Sequence, residues 1–339
     1  MSISGLRIPA IRPGLTPVSL AEREALLAGA QDGLSHEAAW QRVAALEEVE
    51  LAGHDAAEGA APERIRVGAW NVQQCHFPEP GAALLASRKF DLVLLSEVDI
   101  GMRRTGQANT PGLLAAGQGH GYGFAVEFLE LRSPDGIVPG TTGGAPNVQG
   151  FHGNGFTSRQ RPTDLALIRL APEADWFVKP RRDQARVGGR VAIAGRFRLG
   201  TGSFIAVSVH LESDTDGEGR GRQMAQLLDC IDRFAPGEPV LIGGDFNAGA
   251  RHPTFDASSE ALFGVAAAAG YDWRGCNLDR PTSRRSRVTN AVQQSAAHYD
   301  WFFTRGLRAS APQVIAAVDG EGGALSDHEL IAVTVEQAG

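Results

Sequence analysis

The chain lacks any long apolar run. No stretch approaches the ~18 consecutive apolar residues of a membrane-spanning helix, and the opening MSISGLRIPAIRPG has no apolar core of a secretion signal. The three cysteines, Cys75, Cys230 and Cys276, are an odd number without metal-site spacing. These absences predict a protein with no transmembrane segment in a reducing compartment, and we expect it to be cytoplasmic.

Positive charge is scarce as well. The formal net charge is -7 over 339 residues, which argues against bulk attraction to a nucleic-acid backbone and leaves only local basic patches for that purpose. The hydrophobic content of 43% suffices for a large core. We therefore expect one domain of about 250 residues with an extension.

The first part of the chain has a pattern of its own. Ser19 followed by Glu22 is a capping box that opens a helix, and a second helical run follows after a short Gly-Leu-Ser stretch. Residues 54–63 are typical of a linker. We predict a helical extension and linker over 1–63 and a main domain over 64–339. A helix-turn-helix that binds DNA is the alternative, which the acidic EEVE at the end of the second helix disfavours.

The stretch VLIGGDFN, residues 240–247, is central to the main domain. Its apolar start predicts a short buried strand, and the glycine pair lets the backbone turn at the strand's end. Because side chains alternate along an extended chain, Asp245 and Asn247 point the same way and Phe246 the other. The carboxylate and the amide then share one volume, where they can hold a water, a metal or a phosphate oxygen. An Asx turn that only caps the strand is the alternative.

Other apolar segments of the main domain also have polar residues at their ends. Strands are predicted over 65–71, 90–99, 191–199 and 203–213, and an amphipathic helix over 220–235. The further strand-end residues are Asn71, Glu97, His210, Asp300, Asp327 and His328. We predict that they meet Asp245 and Asn247 in one site. Oxygen ligands suit Mg²⁺ or Mn²⁺, whereas the lack of clustered cysteines and of HxxxH spacing disfavours zinc.

An ordered set of motifs resembles the endonuclease/exonuclease/phosphatase superfamily, in its DNase I and sphingomyelinase branch. The motifs are AWN, LLSEVD, HGNGFTSR, SVHLES, GGDFN, HYDWFF and LSDHELI, spread over residues 65 to 336. The resemblance implies a DNase I-like, four-layer α/β sandwich, in which two mixed β-sheets lie face to face between helices. It also implies a site at one edge of that sandwich.

The resemblance implies a metal site. Glu97 resembles the main metal-binding carboxylate, and Asn71 and Asp327 help to hold the ion directly or through water. The cofactor is then Mg²⁺ or Mn²⁺, which would polarise a phosphoryl oxygen.

The resemblance also implies catalytic roles. Asp245 resembles the residue that orients or deprotonates the attacking water, with Asn247 as its partner on the phosphate. His328 is similar to the histidine that contacts a phosphate oxygen, and His210 to a candidate acid for the leaving group. Asp300 would orient one of these histidines, and the sequence leaves open which.

Three residues are candidate substrate contacts. Asn154 resembles the family's phosphate-contacting asparagine, although the next residue is glycine where alanine is commoner. Arg159 and Arg190 are candidates for phosphate contacts, with solvated loop arginines as the alternative. The Gly- and Pro-rich insert over 101–150 is expected to form a loop over the site that sets substrate choice.

These features predict an enzyme, a metal-dependent hydrolase that attacks a phosphoester directly with water. A small or lipid-like phosphodiester is favoured, since the chain is acidic and its arginines form no stripe that would follow a nucleic acid. A DNA or RNA nuclease of the same superfamily is the alternative. Two hypotheses from other functional classes are a non-catalytic binding module and a hydrolase of a non-phosphate substrate on the same fold. The oligomeric state is not predicted.

Overall fold

The computed structural model describes residues 4–54, 60–132, 144–180, 184–249, 259–289 and 296–338. In these ranges the helices are α1 (Leu20–Ala28), α2 (Gly33–Arg42), α3 (Pro78–Arg88), α4 (Thr110–Gln118), α5 (Gly217–Phe234) and α6 (Ala261–Ala268). The strands are β1 (Gly5–Arg7), β2 (Ala10–Arg12), β3 (Glu48–Ala52), β4 (Arg64–Asn71), β5 (Leu92–Ile100), β6 (Gly121–Glu130), β7 (Phe151–Ser158), β8 (Leu165–Arg169), β9 (Arg186–Gly188), β10 (Val191–Leu199), β11 (Gly202–His210), β12 (Val240–Asp245), β13 (Asp300–Arg305), β14 (Leu307–Ile315) and β15 (Leu330–Gln337).

The strands form two mixed sheets. The first has six strands in the order β1-β8-β10-β11-β12-β13, in which only the β11 and β12 pair is parallel. The second has nine strands: eight run in the order β14-β15-β4-β5-β7-β6-β3-β2, and β9 pairs with β6. Parallel pairs in the second sheet are β4 with β5 and β2 with β3.

Apolar side chains fill the space between the sheets. Val67, Leu94, Ile193, Leu241 and Phe302 belong to one buried cluster drawn from both sheets. Two further clusters contain residues of α3 and α4 with the second sheet, and of α5 and α6 with the first. The expected sandwich of two mixed sheets flanked by helices is confirmed.

The N-terminal segment contributes strands to both sheets. Its two predicted helices are present, and α1 begins with the predicted capping box. In addition, β1 pairs with β8, and β2 and β3 extend the second sheet. The prediction of a helical extension was therefore incomplete. Glu48 and Glu50, which looked like a polar helix end, are buried in β3 and accept hydrogen bonds from the backbone N–H groups of Thr16 (2.8 Å) and Leu15 (3.1 Å). A domain boundary after residue 63 stays a prediction, and linker residues 55–59 lie outside the described ranges.

The insert contains part of the core. Its described part includes α4 and β6, and β6 is buried along its whole length between β7 and β3. The residues that suggested a loop have local roles, since Pro111 lies in the first turn of α4 and Gly119 ends that helix with φ of 66°. The expectation of a loop over 101–150 is corrected for residues 110–130. Residues 133–143 lie outside the described part of the chain.

Two predictions from absent features can be compared with the structure. No helix in the described part of the chain is long and apolar enough to cross a membrane. All three cysteines are buried free thiols. The cytoplasmic location stays a prediction.

Replacing Leu46 by alanine is expected to lower the free energy of unfolding by about 2–5 kcal/mol, because the buried side chain would leave a cavity. Leu34→Ala in the neighbouring α2 is the matched control, since Leu34 is 82% exposed, and should cost less than about 0.5 kcal/mol. Urea unfolding measures both. A loss at Leu46 no larger than at Leu34 would mean that the N-terminal segment does not unfold with the sandwich.

Candidate active site

Three neighbouring strands of the first sheet bring His210, Asp245 and Asp300 into one row. His210 ends β11, Asp245 ends β12 and Asp300 begins β13, and the register pairs Asp245 with both of the others. All three are buried, and His210 Nε2 lies 3.5 Å from Asp245 Oδ2. The strand order thus places a histidine and two carboxyl groups side by side at one edge of the sandwich.

The second sheet brings Asn71 and Glu97 to the same place. Asn71 ends β4, and its Nδ2 donates to Asp245 Oδ2 at 2.9 Å and to Glu97 Oε1 at 3.1 Å. Glu97 lies where the pairing of β5 with β7 shifts register, and its φ is 56°. Since residues other than glycine rarely adopt this conformation, the bulge is a strained feature that re-aims the Glu97 carboxylate. One amide therefore links carboxylates from both sheets.

Asp300 holds His328. The His328 Nδ1 lies 2.8 Å from Asp300 Oδ2, and its Nε2 lies 3.7 Å from Asp245 Oδ2. Burial alone would lower the pKa of His328, but the charges of Asp300 and Asp245 outweigh it and hold this pKa well above its usual value. The structure pairs Asp300 with His328, a choice that the sequence left open.

Asp245 and His210, which lie in one row with Asp300, also have shifted pKa values. Burial raises the pKa of Asp245 to about 7, with the positive charge of His328 opposing and the negative charge of Asp300 adding to the shift. Burial lowers the pKa of His210 well below its usual value, and the positive charge of Arg190 adds to this. His210 is therefore neutral at about pH 7, while Asp245 titrates near that pH, which suits proton transfer from water.

The donor set fits a divalent cation. Four carboxyl groups surround one protonated imidazole: Glu97, Asp245, Asp300 and Asp327. Burial raises the pKa of Asp327 to about 6, with the positive charge of His328 opposing the shift and the negative charge of Glu97 adding to it. A cation would offset this negative charge. Asp245, Asp300 and His328 offer ligand atoms within 4.8 Å of one another, although Asp300 Oδ2 and His328 Nδ1 are bonded to each other. Glu97, Asp327 and Asn71 supply oxygen atoms, which suit Mg²⁺ or Mn²⁺.

Asn247 departs from the predicted alternation. Its φ is 51°, and its backbone N–H donates to Asp245 Oδ1 at 2.9 Å, so the Asx turn that was the alternative is present. Its Nδ2 donates to the Leu211 carbonyl at 3.0 Å. Phe246 is fully buried on the other side, as predicted, and Asn247 lines a cavity beside the site. The turn and the site therefore coexist.

Asn154 and Arg190 lie in a buried hydrogen-bonded group with Glu127. Asn154 Nδ2 donates to Glu127 Oε2 at 3.0 Å and to the Val191 carbonyl at 2.7 Å. Arg190 lies between Glu127 at 2.7 Å and Glu212 at 3.2 Å. Both N–H bonds of the Asn154 amide are thus occupied, and the charge of Arg190 is already balanced. Neither group is free for the substrate contact that the sequence suggested.

Arg159 lies away from the group around Asp245. Its side chain is exposed, 3.5 Å from Asp91, which directly precedes β5, whereas Glu97 lies towards the other end of that strand. The structure does not bring this predicted substrate contact to the site.

Two residues around the site carry no signal in the sequence. Gln74 Nε2 donates to Glu97 Oε2, so amides hold both oxygens of that carboxylate. Gln73, Gln74 and Cys75 all have positive φ, between 48° and 61°, and no composition pattern predicts such a turn. Glu127 lies in β6, inside the segment for which the Gly- and Pro-rich composition predicts a loop.

The model of the Endonuclease/Exonuclease/phosphatase family matches residues 68–328. The chain belongs to this family. The match confirms the resemblance seen in the motifs. Comparison with curated proteins gives no match.

Solved structures agree with the family assignment. An endonuclease/exonuclease/phosphatase from Beutenbergia cavernae DSM 12333 is 18% identical, with a TM-score of 0.56 over 82% of this chain and 72% of that chain. An endonuclease/exonuclease/phosphatase from Bacteroides vulgatus is 16% identical, with a TM-score of 0.54 over 81% of this chain and 99% of that chain. The human Nocturnin catalytic domain with bound sulfate anion is 18% identical, with a TM-score of 0.52 over 81% of this chain and 94% of that chain. At these identities the likeness shows the fold alone.

Endonuclease/exonuclease/phosphatase proteins include nucleases, phosphatases and phosphodiesterases. They are generally hydrolases of phosphoester bonds and are typically dependent on divalent metals. The group of carboxylates and histidines at the edge of the sandwich is where this chain has the residues for such chemistry.

Stabilisation by Mg²⁺ or Mn²⁺ is expected to increase with pH. The pKa values of Asp245 and Asp327 in the folded protein are about 7 and about 6, both above the ordinary value of an aspartate. Their protonated forms therefore contribute to the free energy of unfolding below about pH 4, and this contribution is lost as the pH rises through about 6 and about 7. A cation competes with those protons and should raise the melting temperature more at about pH 8 than at about pH 5.

The measurement is the difference in melting temperature between metal and EDTA at the two pH values. Asp327→Asn should reduce the pH dependence of this difference, while Asp229→Asn, on the exposed face of α5, should leave it unchanged. Equal stabilisation of the wild type at both pH values would exclude a cation bound to these carboxylates.

Proposed function

We propose that the chain is a Mg²⁺- or Mn²⁺-dependent phosphoesterase that hydrolyses a small or lipid-like phosphodiester by direct attack of water. The position of Asp245 carries the proposal. Its Oδ2 accepts a hydrogen bond from Asn71 and lies within 3.7 Å of Nε2 of both His210 and His328. A carboxylate between two histidines, beside an oxygen-rich cation site, suits transfer of a phosphoryl group to water.

Asp245, His328 and His210 have separate roles in this reaction. Asp245, with its pKa of about 7, orients the attacking water and accepts its proton. His328, kept protonated by Asp300, donates to a phosphate oxygen and stabilises the charge that develops there. Neutral His210 donates a hydrogen bond, and not a proton, from a ring N–H to the leaving oxygen, so it does not serve as the leaving-group acid that the resemblance implied.

The cation site supports this division. Glu97, Asn71 and Asp327 would hold the ion, which when bound supplies positive charge for the phosphoryl and leaving oxygens. Gln74 and Asn71 orient the Glu97 carboxylate through their side-chain amides.

The surroundings favour a compact substrate over an extended polyanion. A cavity of about 680 Å³ lies beside Asn247 and Tyr299. Its charged lining residues are Asp214, Asp216, Glu260 and Arg220. The Arg220 guanidinium is already paired with Glu260 at 2.7 Å. An acidic cavity repels a second phosphate group, which a nucleic acid would have to place nearby.

The substrate class is tested by turnover on bis(p-nitrophenyl) phosphate, p-nitrophenyl phosphate, phospholipid vesicles, DNA and RNA, each with Mg²⁺, Mn²⁺ or EDTA. We expect metal-dependent hydrolysis of the small or lipid diesters with little dependence on ionic strength. Efficient cleavage of DNA or RNA that falls steeply with salt would establish the nuclease alternative instead. Metal binding without turnover of any substrate would support a non-catalytic binding module.

Variants separate the roles within the site. Asp245→Asn and His328→Ala are each expected to lower kcat by at least about 100-fold, because both side chains act on the reacting groups. The melting temperature in EDTA should change little in Asp245→Asn and should fall in His328→Ala, because Asp300 then stays buried without its partner. Glu97→Gln should first raise the metal concentration needed for half-maximal activity. An unchanged metal titration in Glu97→Gln would remove Glu97 from the metal site without affecting the assignment of Asp245.

A further inference from the structure

His152 is a buried histidine that the proposed mechanism does not use. It is 5% exposed, and its Nδ1 lies 2.8 Å from Asp99 Oδ1. Arg104 Nη2 lies 3.1 Å from the same nitrogen, but it donates to Asp99 Oδ1 at 2.8 Å. Because a carboxylate only accepts hydrogen bonds, Nδ1 carries a hydrogen and donates it to Asp99. This bond fixes the orientation of the imidazole ring.

Asp99 does not need His152 to balance its charge. Arg104 donates to both carboxylate oxygens of Asp99, at 2.7 Å and 2.8 Å, and to Glu130 at 2.9 Å. Arg186 donates to Glu130 as well, at 3.0 Å. Two guanidinium groups thus face two carboxylates, and charge-assisted bonds of this kind make a rigid support. The ion-pair cluster holds the imidazole in place without depending on it.

The other ring nitrogen of His152, Nε2, has no hydrogen-bond partner in the part of the chain that the structure describes. Buried polar atoms in folded proteins are nearly always bonded, to protein, water or ligand. The partner of Nε2 therefore comes from outside the chain, and the position of the ring decides which partner fits.

The ring points towards the first sheet. His152 and Asn154 lie on the same face of β7, because side chains alternate along a strand. Asn154 Nδ2 donates to the carbonyl of Val191 in β10, so this face looks across the sandwich. In the register of β7 with β5, His152 lies opposite Asp99, two residues beyond Glu97. His152 is thus at the edge of the sandwich that carries the candidate active site.

Electrostatic effects on two site residues agree with this position. Burial alone would raise the pKa of Glu97, but the positive charge of His152 and the hydrogen bond from Asn71 hold it below its ordinary value. Burial lowers the pKa of His210, and the charges of Arg190 and His152 lower it further. One imidazole therefore acts on a carboxylate of the second sheet and on a histidine of the first.

We propose that His152 is a further substrate-contacting residue, whose Nε2 donates a hydrogen bond to a non-bridging oxygen of the phosphodiester between Glu97 and His210. With Asp99 bonded to Nδ1 and an anionic phosphate bonded to Nε2, the ring of the complex carries a hydrogen on each nitrogen. The contact rests on the proposed function, because it takes a phosphodiester as the ligand of the site.

The test is calorimetric titration of the full-length chain with methyl(phenyl)phosphinate in Mg²⁺. This anion has one negative charge and two free oxygens on phosphorus, as a phosphodiester has, and its P–C bonds resist hydrolysis. We expect the wild type to bind it. Binding is measured separately from turnover, so the result does not depend on any hydrolysis.

Two variants separate the ring nitrogens of His152. The amide of His152→Asn can replace Nδ1 and keep the bond to Asp99, whereas the amide of His152→Gln can reach the position of Nε2. His152→Asn should weaken binding by about tenfold or more, and His152→Gln by only about 2–3-fold. His120→Asn is the matched control, because His120 is also 5% exposed but directly precedes β6 at the end that pairs with Ser158. It should leave the affinity unchanged.

The opposite order of the two variants would overturn the proposal, since tight binding by His152→Asn and weak binding by His152→Gln would mean that the ring serves only Asp99. An affinity of His152→Asn equal to that of His120→Asn would also overturn it, and this comparison remains if His152→Gln fails to fold. So would a wild type that binds no phosphinate in Mg²⁺.

Turnover of bis(p-nitrophenyl) phosphate by the same samples distinguishes this proposal from the proposed function. We expect kcat/KM to fall in the same order as the affinity for the phosphinate. Binding that depends on His152 in a wild type that hydrolyses no substrate would support the contact and contradict only the hydrolysis.

Discussion

A hydrogen bond between Asn71 and Asp245 helps to join the two halves of the site. The 2.9 Å bond from Asn71 to Asp245 connects the last residue of β4 in the second sheet with the last residue of β12 in the first. An apolar cluster with residues from both sheets lies between them, so the geometry at this edge depends on how both sheets pack. A change in that packing would separate the carboxylate proposed to activate water from the carboxylate proposed to bind the cation. The proposed chemistry thus rests on the sandwich as a whole.

Charge balance explains why the surroundings of the site are so polar and yet buried. Behind Glu97, Arg104 pairs with Asp99 and Glu130, and Arg190 pairs with Glu127 and Glu212. Buried ions are tolerated only when such partners satisfy them. At the reacting group the balance is left incomplete, because the carboxyl groups outnumber the one protonated histidine. Burial, with a smaller contribution from neighbouring carboxylates, raises the pKa values of Asp245 and Asp327, and a divalent cation would favour their charged forms.

The N-terminal segment and the insert belong to the structure of the sandwich. The segment provides β1, β2 and β3, and the insert provides β6, on which both Glu127 and Glu130 lie. Glu127 contacts Asn154 and Arg190, so the insert supports the interior of the site.

Local pattern in the sequence determined much of the fold. Apolar runs ending in polar residues predicted β4, β5, β11 and β12 close to their observed ends, and the capping box predicted the start of α1, since these signals depend on neighbours along the chain. The order of the motifs indicated the family. The choice of Asp300 as the partner of His328, the bulge that re-aims Glu97, the contact from Gln74 and the burial of Arg190 between two glutamates were decided by tertiary structure alone. Each of these four features depends on strand register and on contacts between residues that are distant in sequence. The local spacing of residue types encodes neither the register nor these contacts.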